Sequence, residues 1–200
     1  MSREGTFIME YKSAIWVENF PFFMIDENRN ELENLLKEHH IELIFIEKRS
    51  GAIASIFQAI PIFINEHLIE LIIAGLLFPA TYDAIKFTIL RLVKGIRQGF
   101  FLASSGEKID SSAKLKMNVG SAEILAPIPS DLTDEQFAKY MDMLPKALAE
   151  LKRNQIPKIE MYECFIIEYR PDNEELRTIT MKQYASERHK EQQARTKTTD

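Results

Sequence analysis

His67 and Glu70 stand three residues apart, with Glu66 beside them, and could do chemistry together in this 200-residue chain. Positions three apart share a helix face, and a histidine between carboxylates can act as a general base near neutral pH. The same residue types hold metals. Di-iron bundles use Glu-x-x-His twice, with two further glutamates, whereas His67 and Glu70 form one His-x-x-Glu. The three residues read first as a polar break between two apolar runs, with Glu66 as a capping acid, and second as a site worth testing.

The remaining candidates are weaker. His39 and His40 have Glu38 and Glu42 nearby, but adjacent histidines on a helix point in different directions. A metal would need ligands converging from elsewhere, while histidine at a helix C-terminus simply suits the dipole. Glu47 and Lys48 are adjacent and would face opposite sides of a strand; a nuclease-type metal edge needs Glu-x-Lys. Cys164, the sole cysteine, falls mid-strand on the face of Tyr162 and Ile166. A nucleophile needs a base within reach, and the C-terminal half offers only His189, in the tail. An inert thiol is expected. Neither a glycine-rich phosphate loop nor a G-x-S-x-G elbow is present. No catalytic residue, metal ligand or cofactor is therefore assigned.

Composition bounds the rest. Apolar residues make up 46% and charged residues 28%, the balance of an ordinary soluble domain rather than of a disordered chain or a disulfide scaffold. The net charge of −5 argues against a nucleic-acid binder, which carries a basic footprint. A lone cysteine fits a reducing compartment, and residues 1–6 carry no apolar core of a signal peptide. A cytoplasmic location is expected.

The elements that must position these residues read as follows. Residues 7–20 alternate apolar and polar as a half-buried strand does. Asn28 and Glu31 resemble a capping box, and Leu32, Leu35 and Leu36 make a helical stripe, so 28–40 is a helix. The run 41–47 is a strand. Together they predict a parallel, right-handed βαβ unit. Two apolar runs follow, 52–64 and 68–78, each too short to cross ~30 Å of hydrocarbon, and they are expected as a helical hairpin. The segment 80–98 is a helix with Ile85, Ile89, Leu92, Val93 and Ile96 on one face and Lys86, Arg91, Lys94 and Arg97 elsewhere. Residues 103–112 form a loop and a candidate sub-boundary.

Residues 114–124 alternate as a strand that ends at Pro127 and Pro129. Thr133 and Gln136 form a capping box for a helix that Pro145 should kink or divide. A β-hairpin follows over 159–183. The expected class is α+β: a mixed sheet of about four to six strands, an N-terminal βαβ unit, the apolar helical hairpin and a C-terminal β-hairpin. It forms one domain over 1–184, with a polar tail over 185–200.

The order of strand 7–20, helix 28–40, strand 41–47, apolar helices ending in the basic stretch 85–97, then strands, resembles in plan the small effector-associated modules of bacterial conflict systems. The likeness covers about residues 7–125, and the helix from Thr133 and the final hairpin lie beyond it. It implies an adaptor in a defence system rather than a catalyst.

Three functional readings follow. The first is a non-catalytic interaction module, since two helices apolar all round demand cover. It would bind a second copy or another protein through residues 51–97, with Ile69, Ile73, Phe78, Lys86, Arg91, Lys94 and Arg97 as contacts. The second is an effector that lays the apolar hairpin and basic helix on a membrane surface. The third is an enzyme with its site around His67.

Overall fold

Alternation over 14–18, a leucine stripe and a compact apolar run after residue 41 produce a βαβ unit. The computed structural model describes residues 13–18, 26–46, 59–98, 100–102, 108–154, 156, 163–170 and 172–197. Strand β1 (Ala14–Glu18) and strand β2 (Glu42–Ile46) pair in parallel, with Ile15 beside Leu43. Helix α1 (Asp26–Glu38) joins them and starts two residues before the expected Asn28 cap. At its end His40 takes φ +58°. The N–H groups of His40 and Ile41 donate to the carbonyls of Lys37 and Leu36, both at 3.0 Å. That is a Schellman cap, and glycine is its usual residue.

The expected helical hairpin is corrected. The described part of its first run is strand β3 (Ile60–Ile64), because Ile60, Ile62 and Ile64 place β-branched side chains on one side at period two. Residues 51–58 lie outside the described set. The second run forms helix α2 (Glu66–Ile73), and its cap is Asn65, whose Oδ1 accepts from the Leu68 N–H at 3.0 Å. Glu66 merely opens the first turn. Helix α3 (Pro79–Arg97) then matches the expected basic helix. Strands β4 (Phe100–Leu102) and β5 (Lys108–Asp110) form a separate two-stranded ribbon, which corrects the expected loop over 103–112: part of it is a strand.

The expected single strand over 114–124 is a hairpin of β6 (Ala113–Val119) and β7 (Ala122–Ile128). It reverses at Gly120, whose φ of +57° suits glycine. In helix α4 (Asp134–Asn154) the capping box is complete: Gln136 N–H donates to Thr133 Oγ1 at 3.2 Å and Thr133 N–H to Gln136 Oε1 at 2.9 Å. Pro145 lies within α4, which continues past it undivided. Strands β8 (Glu163–Arg170) and β9 (Glu175–Thr180) make the C-terminal hairpin, and helix α5 (Met181–Lys197) occupies the polar tail.

The class is α+β: the described residues form five helices and a seven-stranded mixed sheet in the order β2-β1-β3-β6-β7-β8-β9, one strand beyond the expected upper count. Registers define two rows across it. Leu43, Ile15, Ile64, Met117, Ile124 and Phe165 lie side by side on one face. Helices α1 to α4 cover that face, and their buried side chains join the strands in one core. Ile44, Trp16, Phe63, Lys116, Leu125, Ile166 and Ile179 form the row on the other face. There Met181 and Tyr184 of α5 pack against Leu125, Ile166 and Ile179.

Strands β1 and β7 run in the same direction, yet α1 leads to a neighbour on one side and α4 to a neighbour on the other. Since both helices lie on the same face, the two crossovers have opposite hands. One of them therefore takes the left-handed form found in roughly 2% of such connections.

Leu148 sits in the middle of α4 and is fully buried in the core. Leu148→Ala is expected to cost about 2–5 kcal/mol, read as a lower urea midpoint at unchanged slope.

Candidate functional site

The structure disperses the polar break around His67. Glu66 and His67 are exposed at the start of α2, and Glu70 forms an ion pair with Lys152 of α4. Among the described residues no group of three or more His, Cys, Asp or Glu side chains could hold a metal ion. His39 instead shares a hydrogen bond between its Nδ1 and Thr81 Oγ1, at 3.1 Å. It ties the end of α1 to the start of α3. His40 supplies the left-handed cap described above. Glu47 and Lys48 lie outside the described residues.

Cys164 is half-buried on the sheet face that α5 partly covers. Its Sγ lies 3.8 Å from Glu123 Oε1, and Glu123 in turn pairs with Lys116 at 2.5 Å. Burial and then the Glu123 charge push the thiol up to about 11. The reactive form is the thiolate, so this position is protected.

The basic helix serves the interior of the molecule more than its surroundings. Lys86 bridges Asp83 and Asp142, each at 2.9 Å, and Lys94 pairs with Asp134 at 2.6 Å. Arg97 donates to the carbonyls of Leu132 and Pro129. Beside them Tyr82 donates its hydroxyl to the Met141 carbonyl at 2.5 Å, and burial with the nearby Asp142 and Asp83 carboxylates raises its pKa. Three of the four basic residues thus strap α3 to α4 or to the loop before it. Arg91 alone among the four lies outward, its guanidinium 5.1 Å from the centre of the Phe87 ring. Among the described residues no helix is long and apolar enough to cross a membrane.

The apolar contacts divide the same way. Ile69 is fully buried and Ile73 packs against the core, so the expected contact role of Ile69 is corrected: α2 needs it to seal the sheet. Phe78 is 80% exposed, and two residues that sequence reasoning passed over join it, Leu76 at 69% and Phe87 at 37%. The exposed Leu76 follows Gly75, which ends α2 at φ +65° with the Leu76 N–H on the Leu71 carbonyl. Such a position usually packs back onto its own helix.

Between α1 and α3 runs a groove. One end, about 620 Å³, is lined by Leu35 and Glu38 of α1, by His39 just after it, and by Ala80, Asp83 and Phe87 of α3. The other, about 150 Å³, sets Asn28 and Leu32 against Arg91, Lys94 and Gly95. Glu31 borders both ends. The helices therefore lie antiparallel, with carboxylates prevailing toward the start of α3 and cations toward its end. Neither end includes His67. No family model, curated protein or solved structure matches the chain.

Two outcomes check this account. Cys164 should resist iodoacetamide in the folded protein near pH 8, with labelling accelerating as the pH approaches 11 and becoming rapid in urea. His40→Gly should leave the histidine pair without a loss and raise stability by about 1 kcal/mol, because glycine takes the left-handed cap without a Cβ clash. A thermal melt would show it as an increase in Tm.

Proposed function

We propose that this protein is a non-catalytic interaction module of the cytoplasm, which works through the outer surface of its helical layer between Leu76 and Arg91. The observation that carries this reading is the exposure of Leu76, Phe78 and Phe87. They are the exposed large hydrophobic residues among those described, and they fall within twelve positions. Large apolar side chains left exposed beside a well-closed core are candidates for cover by a partner. The single cysteine supports the location.

The membrane reading draws less support. Surface-lying helices keep their basic residues on the polar face toward the lipid headgroups, whereas Lys86, Lys94 and Arg97 are engaged within the chain. The enzyme reading loses its named geometry, since His67 is exposed and Glu70 is paired with Lys152.

A photo-crosslinking amino acid placed at Phe78 in living cells tests the reading. Protein adducts are expected, and Leu76→Ser should reduce them strongly without altering the circular dichroism of the chain. Lipid adducts alone, or no adduct at all, would refute it.

A further inference from the structure

We infer that the outer stripe of α3 is the contact of a homodimer, in which two copies of α3 cross antiparallel about a two-fold axis at Phe87. This deepens the interaction reading and rests on it. The partner is a second copy because the stripe is complementary to itself in charge. Ala80, Asp83, Phe87 and Arg91 recur at helical spacing, and all line the groove beside α1.

Phe87 stands near the middle of the nineteen residues of α3. A two-fold axis there sets each residue four positions after Phe87 against the one four positions before it in the other copy. Arg91 then meets Asp83, and Asp83 meets Arg91, as an isologous interface requires.

Both charged groups are available for this. The Asp83 side chain is 68% exposed while it touches Lys86, and Arg91 is held along the stripe by the Phe87 ring. Ala80 is small and exposed and keeps the stripe low, so that the Phe87 rings can meet. A parallel crossing would set like charges together at both ends. A membrane or a polyanion would engage Arg91 but be repelled by Asp83, Glu31 and Glu38.

The test is a charge exchange read by light scattering and sedimentation on the full chain. The wild type should show twice 23.2 kDa at micromolar concentration. Arg91→Asp and Asp83→Arg should each raise the dimer dissociation constant by roughly tenfold or more, since each contact occurs twice. Lys86 keeps Asp142 in the second variant, and unchanged circular dichroism would confirm that both are folded. The double variant should dimerise like the wild type.

A wild-type mass of one chain at every concentration would overturn the proposal. So would a dimer that neither single exchange weakens, or a double variant that stays monomeric. If the dimer is absent while crosslinks from Phe78 to another protein persist, the two-fold contact alone is refuted. Loss of both would refute the interaction reading as well.

Discussion

A mixed sheet of seven strands can bury only what its connections carry onto it, and here the connections between parallel neighbours bring four helices to a single face. The rest of the molecule follows from that one-sided cover. Apolar residues that look excessive in sequence, Ile60 to Ile64 and Leu68 to Ile72, are spent on closing the layer. One crossover must also take the less favoured hand. Against-hand connections lack the twist match that normally seats the helix on its strands, so the seating has to come from neighbouring helices.

Those neighbours are charged. Helix α4 presents Asp134, Asp142 and Lys152 to Lys94, Lys86 and Glu70 of the adjoining helices, and the Tyr82 hydroxyl to Met141 adds a part-buried anchor. Exposed pairs contribute little singly, about 0–1 kcal/mol. Their arrangement along a seam sets orientation more than strength, while the apolar stripe from Phe137 to Leu151 supplies the binding. A row of lysines that suggests an outside partner is thus mostly an internal fastening.

Much of the architecture was legible. The capping box at Thr133, the stripe of α3 and the first βαβ unit all depend on local spacing, which sequence preserves. Two misreadings had local signals of their own. In the hairpin the buried parity changes from odd (Leu115, Met117, Val119) to even (Ala122, Ile124, Ala126), and Gly120-Ser121 is a turn dipeptide. In β3 the isoleucines alternate with Pro61 and Phe63. The candidate site was less legible, because the difference between Ile69 and Phe78 is a matter of which side faces the sheet. Likewise, Lys86 resembles Arg91 until Asp142, fifty-six residues later, is brought against it. Tertiary pairing of that kind leaves no mark on either segment alone.

The chain has one tryptophan, and Trp16 stacks on Phe63 at 5.3 Å between ring centres, with Lys116 on the same ring. It sits across the sheet from the helical layer. Its fluorescence is therefore an optical probe of the β1–β3 pairing on the face away from α1 to α4, whereas far-ultraviolet ellipticity weighs the helices most. Apart from α5, the two signals watch opposite sides of one sheet. Coincident denaturation curves would mean that both sides are lost together as a single cooperative unit, and divergent curves would time the helical layer against the strands beneath it.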